Sequence, residues 1–395
     1  MTQDGETVAR SSETRSMPRT DLALWLALSV ALVMLLQPGT PPRVAVLSLI
    51  LVAATLAVSL RWRIGPAVIV VLLLVGMALR AVPPNGFSDV LIVTEAAIRE
   101  MLAGGSPYGV GFETSVPPGA PFAYGPVALL WYLPSLDEPG RLETLASLAI
   151  LVALAVRGRA LGLAIYAVSP ALVVAAGDGA NDTTAGLLLL ISLLVAVRLP
   201  VAGAVLLAIT TAFKPYALAW LPGLIAYAGA VAPLLAFLVA SLALWLPALI
   251  AWGPRAVFES FRLADQLHTL PFYSLATAVG ERVELSREAW QALRLFAGVL
   301  LAALSLVLVR SATSFILMGT LVFVATLYLG WWSTFAYVAA IAPVLCWHLD
   351  DWLGLGGQRV VWPGDPVRSV TERVDRWRPV RTPGPHVIDP TWQTG

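Results

Sequence analysis

Asp89 opens the stretch DVLIVTEAAIREMLAGG directly after a membrane-length apolar run, and it is the first side chain of the sequence placed to do chemistry. A carboxylate held beside a bilayer could act as a general base and take the proton of a hydroxyl. It could equally cap the helix that follows, a role worth about 1 kcal/mol; the two roles are compatible. A second group lies in GDGANDTTAGLLLL at 177–190, where Asp178, Asn181 and Asp182 bunch between two apolar runs. Asp182 could cap a helix beginning near Thr183. Asp178 and Asp182, four residues apart, could instead line a sugar pocket or, with Asp89, bind a cation. The third candidate is Lys214 in TTAFKPYALAW, the one lysine of the chain, lodged between two apolar spans. An ionisable side chain near membrane depth is a functional candidate, and its point charge could hold a phosphate. The alternative is a lysine snorkelling from a helix end to the interface.

Weaker signals surround these three. In the helix after Asp89, Val90, Leu91, Ile98, Met101 and Leu102 fall on one stripe and Thr94, Glu95 and Arg99 on the other, which predicts a helix lying in the interface plane, stopped by Gly104, Gly105 and Pro107. Glu95 on its polar stripe is a candidate substrate contact. SPYG and FAYGP set Tyr108 and Tyr124 over the site, although tyrosine is also an ordinary interfacial anchor. The stretch 252–274 adds Arg255, Arg262, Asp265 and His268; its FESFRLADQLH part is amphipathic at helical spacing, so a solvated charged face competes with substrate binding for each.

The elements that must position these residues are set by composition. Of 395 residues 58% are hydrophobic and 12% charged, against about 25% charged in soluble domains, which predicts an all-α, polytopic transmembrane helix bundle. A hydrocarbon core of about 30 Å needs about 20 apolar residues per helix. Spans are expected at 21–37, 44–60, 65–81, 142–156, 160–176, 184–198, 200–213, 216–231, 233–252, 291–310, 312–329 and 334–349, about twelve in all. Arg10, Arg15, Arg19, Arg61, Arg63, Arg157, Arg159, Arg198 and Arg310 all fall on one side if residues 1–20 form a cytoplasmic tail. That assignment makes 124–136 a short outer-leaflet segment rather than a span. The external side then collects 81–140, 177–182, the ground around Lys214, 253–290 and 330–335, together with nearly all the mid-chain acids. A polar, acid-lined outer face over a helical bundle suits an enzyme or a transporter opening outward. Residues 351–395 are rich in Pro, Gly and charge and read as a disordered cytoplasmic tail. A net charge of +1 gives no argument for nucleic acid. The single Cys346 excludes an intramolecular disulfide framework and a cysteine-based metal site and reads as core. No metal-ligand spacing is specific, so no metal is assigned.

Taken together, residues 65–350 resemble the membrane mannosyltransferases that use a polyprenyl-phosphate sugar donor, of the glycosyltransferase superfamily C fold and its glycosyltransferase 87 group. Ser88-Asp89 in the first external loop, AGGSPYG at 103–109, FAYGP at 122–126, GAND at 179–182 before a leucine run, and FKP at 213–215 carry the likeness through their order across the membrane pattern. The resemblance implies Asp89 as catalytic base and a donor-phosphate contact near Lys214 or an external arginine. It implies transfer of mannose, with inversion, to a lipid-linked or glycan acceptor outside the plasma membrane, with membrane lipids as the other partners. Ala180 stands where related enzymes often carry histidine before Asn-Asp, a departure that bears on the choice of sugar. No cofactor is expected, and no nucleotide-sugar site, since no glycine-rich phosphate loop exists to hold one. The rivals are a transferase of another polyprenyl-phosphate sugar such as arabinofuranose, a polymer ligase, and a transporter or flippase for a lipid-linked sugar.

Overall fold

A computed structural model describes residues 19–37, 40–62, 64–81, 88–116, 118–280 and 282–355. The described residues are predominantly helical. α1 (Arg19–Leu35), α2 (Pro42–Arg61) and α3 (Pro66–Arg80) precede the first loop, which holds α4 (Val90–Leu102), a short antiparallel pairing of Gly111–Phe112 with Ala120–Pro121, and α5 (Pro126–Tyr132). The central helices are α6 (Gly140–Arg157), α7 (Ala160–Val168), α8 (Pro170–Ala175), α9 (Asp182–Arg198) and α10 (Pro200–Phe213). After a 3-10 turn at Pro215–Trp220 come α11 (Leu221–Ala228) and α12 (Ala232–Trp252); a second loop carries α13 (Pro254–Leu267) and α14 (Leu275–Val279). The chain then runs through α15 (Arg287–Leu308), α16 (Ala312–Tyr328) and α17 (Tyr337–Trp352).

Two of the long helices are inside out relative to those of a soluble bundle. On α2 the buried side chains are Ser48, Thr55 and Ser59, while Val46 and Ile50 face outward. On α15, Gly298 and Ser305 turn in while Leu295, Phe296 and Val299 turn out. The hydroxyls are answered internally, Ser48 Oγ donating to the Val168 carbonyl at 2.9 Å, as a lipid-facing helix requires. Among the described residues α2, α12 and α15 are long and apolar enough to cross a membrane, and α5 with α6 would add a fourth as one span bent by 100°. With the shorter apolar helices α1, α3, α10 and α16 beside them, this is the build of a helical membrane protein.

Several expected spans are interrupted. The segment 160–176 breaks at Ser169–Pro170 into α7 and α8, and 216–231 begins inside the 3-10 turn that starts at Pro215. Proline has no N–H, so the Tyr166 carbonyl loses its helical donor at Pro170. Arg80 replaces it: its guanidinium donates to the carbonyls of Tyr166 at 2.8 Å, Ala167 at 3.1 Å and Gly76 at 3.0 Å, and to Ser147 Oγ at 2.6 Å. The segment 124–136, expected as a short outer-leaflet piece, holds a short helix and a 3-10 turn.

α9 packs against α10, α17 and α6, and α17 also against α7 and α1, which places this layer at the centre of the core. At the C-terminal end of α17, Asp351 pairs with Arg157, at 2.9 Å, and with Arg159. Asp350 accepts the N–H groups of Leu161 and Gly162 at 3.2 and 2.9 Å. The helix therefore runs past the expected start of the tail at 351, and the rest of that tail, 356–395, lies outside the described residues, as do residues 1–18. α4 also differs from its expected stripe. Thr94 is buried, with Leu91, Val93, Ala97 and Ile98, and donates to the Val90 carbonyl at 2.7 Å, whereas Leu102 is exposed. A threonine whose hydroxyl is satisfied by its own helix packs as an apolar residue, which polarity alone does not foretell.

Candidate functional site

Five stretches far apart in sequence, expected on one side, line one cavity of about 1720 Å³ at the N-terminal end of α17, opposite the Asp351 cluster. They contribute Asp89, Asp178 and Asp182, Lys214 and Tyr216, a set between Phe261 and Tyr273 that includes Asp265 and His268 but not Arg262, and Trp332, Phe335 and Tyr337. Its volume exceeds the roughly 300–1,000 Å³ of ordinary small-molecule pockets. Val44, Leu47 and Leu51 of α2, Leu79 of α3 and Val173 and Val174 of α8 give it an apolar wall.

Asp89 reaches the cavity through backbone docking. The Ser88 N–H donates to the Asp178 carbonyl at 2.9 Å and the Leu91 N–H to the Gly179 carbonyl at 2.8 Å, so the start of α4 is tied to the loop before α9. Gly179 permits this approach: its φ is +92° and a Cβ there would lie 2.3 Å from the Ser88 carbonyl oxygen. Asp89 occupies the N-cap position without capping. Its Oδ2 instead accepts the Val116 N–H at 3.0 Å, and the carboxylate lines the cavity.

Asp182 is the first residue of α9 and does not cap it either; Lys214 Nζ donates to its Oδ1 at 2.8 Å and to Asn181 Oδ1 at 2.7 Å. Lys214 is 4% exposed and Asp182 2%. The snorkelling reading of Lys214 is therefore corrected: Pro215 ends α10 at that point, and the lysine turns inward beneath the rings of Tyr216, Tyr124 and Tyr337, 4.7, 5.3 and 5.6 Å from their centroids. Gly125 brings Tyr124 there, since a Cβ at 125 would meet the Ala212 carbonyl oxygen at 1.9 Å. Burial pushes the Tyr124 phenol well above its ordinary pKa, and Tyr337, Asp182 and Asp89 push the same way.

Burial also raises the Asp178 carboxyl to about 6, with Asp182 adding to it and the Ala180 N–H and Lys214 opposing. An acid raised in the folded state binds its proton more tightly there than in the unfolded chain, so this group's contribution to stability falls as pH rises from about 4 to about 6 and is level above. Asp178→Asn should abolish that slope and gain roughly 2 kcal/mol relative to wild type between those limits. Thermal unfolding in detergent at pH 4 and pH 7 measures it; parallel pH dependence of the two proteins would mean that Asp178 ionises normally.

His268 lies on the cavity wall, its ring stacked on Trp332 at 3.6 Å and 12°. Burial draws its pKa down to about 4, against Asp265 and with Arg287, so at neutral pH it offers an uncharged imidazole and a flat face.

Other expected contacts stand away from the cavity lining. Glu95 pairs with Arg99 at 2.9 Å, and Arg99 also with Asp137 at 2.8 Å. Tyr108 is buried, packs on Phe122 and Trp252 and donates to the Tyr124 carbonyl at 3.1 Å. It supports Tyr124 from outside the cavity lining. Arg262 pairs with Glu259 one turn away on α13, and Arg255 lies exposed on that helix. Asn181 meets Lys214 from behind the wall. Among the described residues no group of three or more His, Cys, Asp or Glu is gathered to hold a metal.

The chain matches no family model, no curated protein and no solved structure.

The cavity itself adds residues that motif reading did not single out: Tyr216, Arg294, Trp332 and Tyr337. Behind it, Glu143 is fully buried, accepting the Tyr132 hydroxyl and both the N–H, at 2.9 Å, and the hydroxyl of Thr184. It ties α5, α6 and the first turn of α9 together under Asp182. The signal for Arg294 was its charge inside an apolar run, and Glu143 stood at the edge of another. Chemically, the cavity offers a carboxylate, Asp89, with one oxygen held by a backbone donor, a charge-neutralised lysine pair beside it, and an aromatic wall.

Proposed function

We propose that this chain is a membrane glycosyltransferase that moves a sugar, mannose by its resemblance to the glycosyltransferase 87 group, from a polyprenyl-phosphate donor to a lipid-linked or glycan acceptor. The observation that carries the reading is the joining, in one large cavity, of Asp89 and the Asp182–Lys214 pair to an apolar wall from α2, α3 and α8. A lipid-borne donor needs both halves. Under this reading the helices form about twelve membrane segments in the plasma membrane, α4 lies at the interface, and the cavity opens outward.

In the reaction, an acceptor hydroxyl gives its proton to Asp89 as its oxygen bonds to the anomeric carbon. The bond from that carbon to the phosphate oxygen breaks, the electron pair leaves with polyprenyl phosphate, and configuration inverts. The Val116 N–H on Oδ2 fixes the carboxylate and leaves Oδ1 to take the proton. The aromatic faces of Trp332 and Tyr337 suit the apolar side of a sugar ring.

The test is to give purified protein a panel of polyprenyl-phosphate sugars and analyse the lipid products, first in detergent and then in sealed right-side-out vesicles with donor supplied outside. Mannosyl transfer in both is expected. Transfer of another sugar would move the assignment to that donor, and no product in detergent with passage of lipid-linked sugar across vesicles would replace the enzyme by a transporter.

A further inference from the structure

Among the described residues two cationic side chains line the cavity, Lys214 and Arg294, and only one of them has a charge to spare. Lys214 gives two of its protons to Asn181 and Asp182 and is roofed by tyrosines. A phosphate at Lys214 would compete with Asp182 for a charge that this carboxylate already balances. Arg294 makes no hydrogen bond and no ion pair among the described residues. Asp265 acts on it electrostatically, yet Asp265 is held by Arg287 at 3.0 Å and by Gln291 at 3.3 Å.

Arg294 sits seven residues, about 10 Å, along α15 from Arg287, inside a run apolar enough to span a bilayer. A guanidinium at such a depth is costly unless something answers its charge. Gly330 makes room for its stem: a Cβ there would lie 2.7 Å from the arginine Cδ. The fork of a guanidinium matches two oxygens of a phosphate. We infer that Arg294 is the phosphate-binding residue of this cavity, taking the phosphate of a lipid-linked ligand whose hydrocarbon lies along the α2–α8 wall, and that Lys214 is not. The inference rests on the transferase reading for the identity of the ligand; the anion site itself rests on the unanswered charge.

Binding is measured on the full chain in detergent, for wild type, Arg294→Gln and Arg294→Lys, with three probes: a polyprenyl monophosphate, the matching polyprenol, and inorganic phosphate. Wild type should prefer the polyprenyl phosphate to the polyprenol. Arg294→Gln should lose at least tenfold in affinity for the phosphate, with Arg294→Lys between, while polyprenol binding is unchanged in all three, which certifies the fold. Equal affinity of wild type and Arg294→Gln for polyprenyl phosphate overturns the assignment and leaves the transferase reading standing. A wild type that binds polyprenyl phosphate no better than polyprenol, and no inorganic phosphate, overturns both. Arg294-dependent binding of inorganic phosphate without any of the lipid supports the anion site and overturns the lipid-linked donor.

Discussion

Asp89→Asn should fold normally and turn over donor about 100- to 10,000-fold more slowly, the range by which a positioned general base accelerates proton transfer. The fold should survive because the side chain does not cap α4, and an asparagine oxygen can still accept the Val116 N–H that Oδ2 accepts now. What asparagine cannot do is take a proton at neutral pH. Asp89→Glu keeps the charge but moves it by a methylene, and a misplacement of about 1 Å can cost about 100-fold, so it should also be poor. Both are read as single-turnover rates on purified protein whose unfolding temperature matches wild type. Wild-type turnover in Asp89→Asn would remove the base from this position, and Asp178, the next carboxylate on the cavity wall, would inherit the role.

Lys214→Met should be the most destabilising single change at the site. It leaves Asp182 buried without a counter-charge, and breaking a buried pair by removing one partner typically costs about 3–5 kcal/mol. The double variant Lys214→Met with Asp182→Leu should recover most of that loss, since replacing both members of a buried pair by apolar groups is frequently neutral or stabilising. Denaturant unfolding in detergent of the two single variants and the double variant measures the coupling. A cost below about 1 kcal/mol for Lys214→Met would show that Asp182 relaxes to water or protonates, and that the pair does not organise the site.

Much of this arrangement was legible in the sequence. A lone lysine between apolar runs, an aspartate following another apolar run and an acidic cluster before a leucine run all pointed to one place, because charge is expensive in such surroundings and seldom without purpose. The same logic extended to Arg80, Glu143 and Arg294, whose charges also lie within or at the edge of apolar segments, but spans drawn as continuous helices absorbed them. Proline was the other blind spot. Pro170 breaks a segment that hydropathy alone joins, and Pro215 turns the start of the next expected span into a 3-10 turn; the freed carbonyl and the turned chain are what Arg80 and Lys214 exploit. Glu95, Tyr108, Arg255 and Arg262 lie outside the cavity lining for a different reason. Periodicity tells which residues share a face of a helix, and not whether that face looks into a cavity, into a neighbouring helix or out to water.

A chain with a single lysine, buried under three tyrosines, has an unusual relation to amine chemistry. Chain terminus aside, a reagent that acylates amines has nowhere else on this protein to react, and it can reach Lys214 only when the lysine leaves Asp182 and stands unprotonated. The rate of modification at that one nitrogen is therefore a clock for the opening of the site, and a ligand that settles in the cavity should slow it.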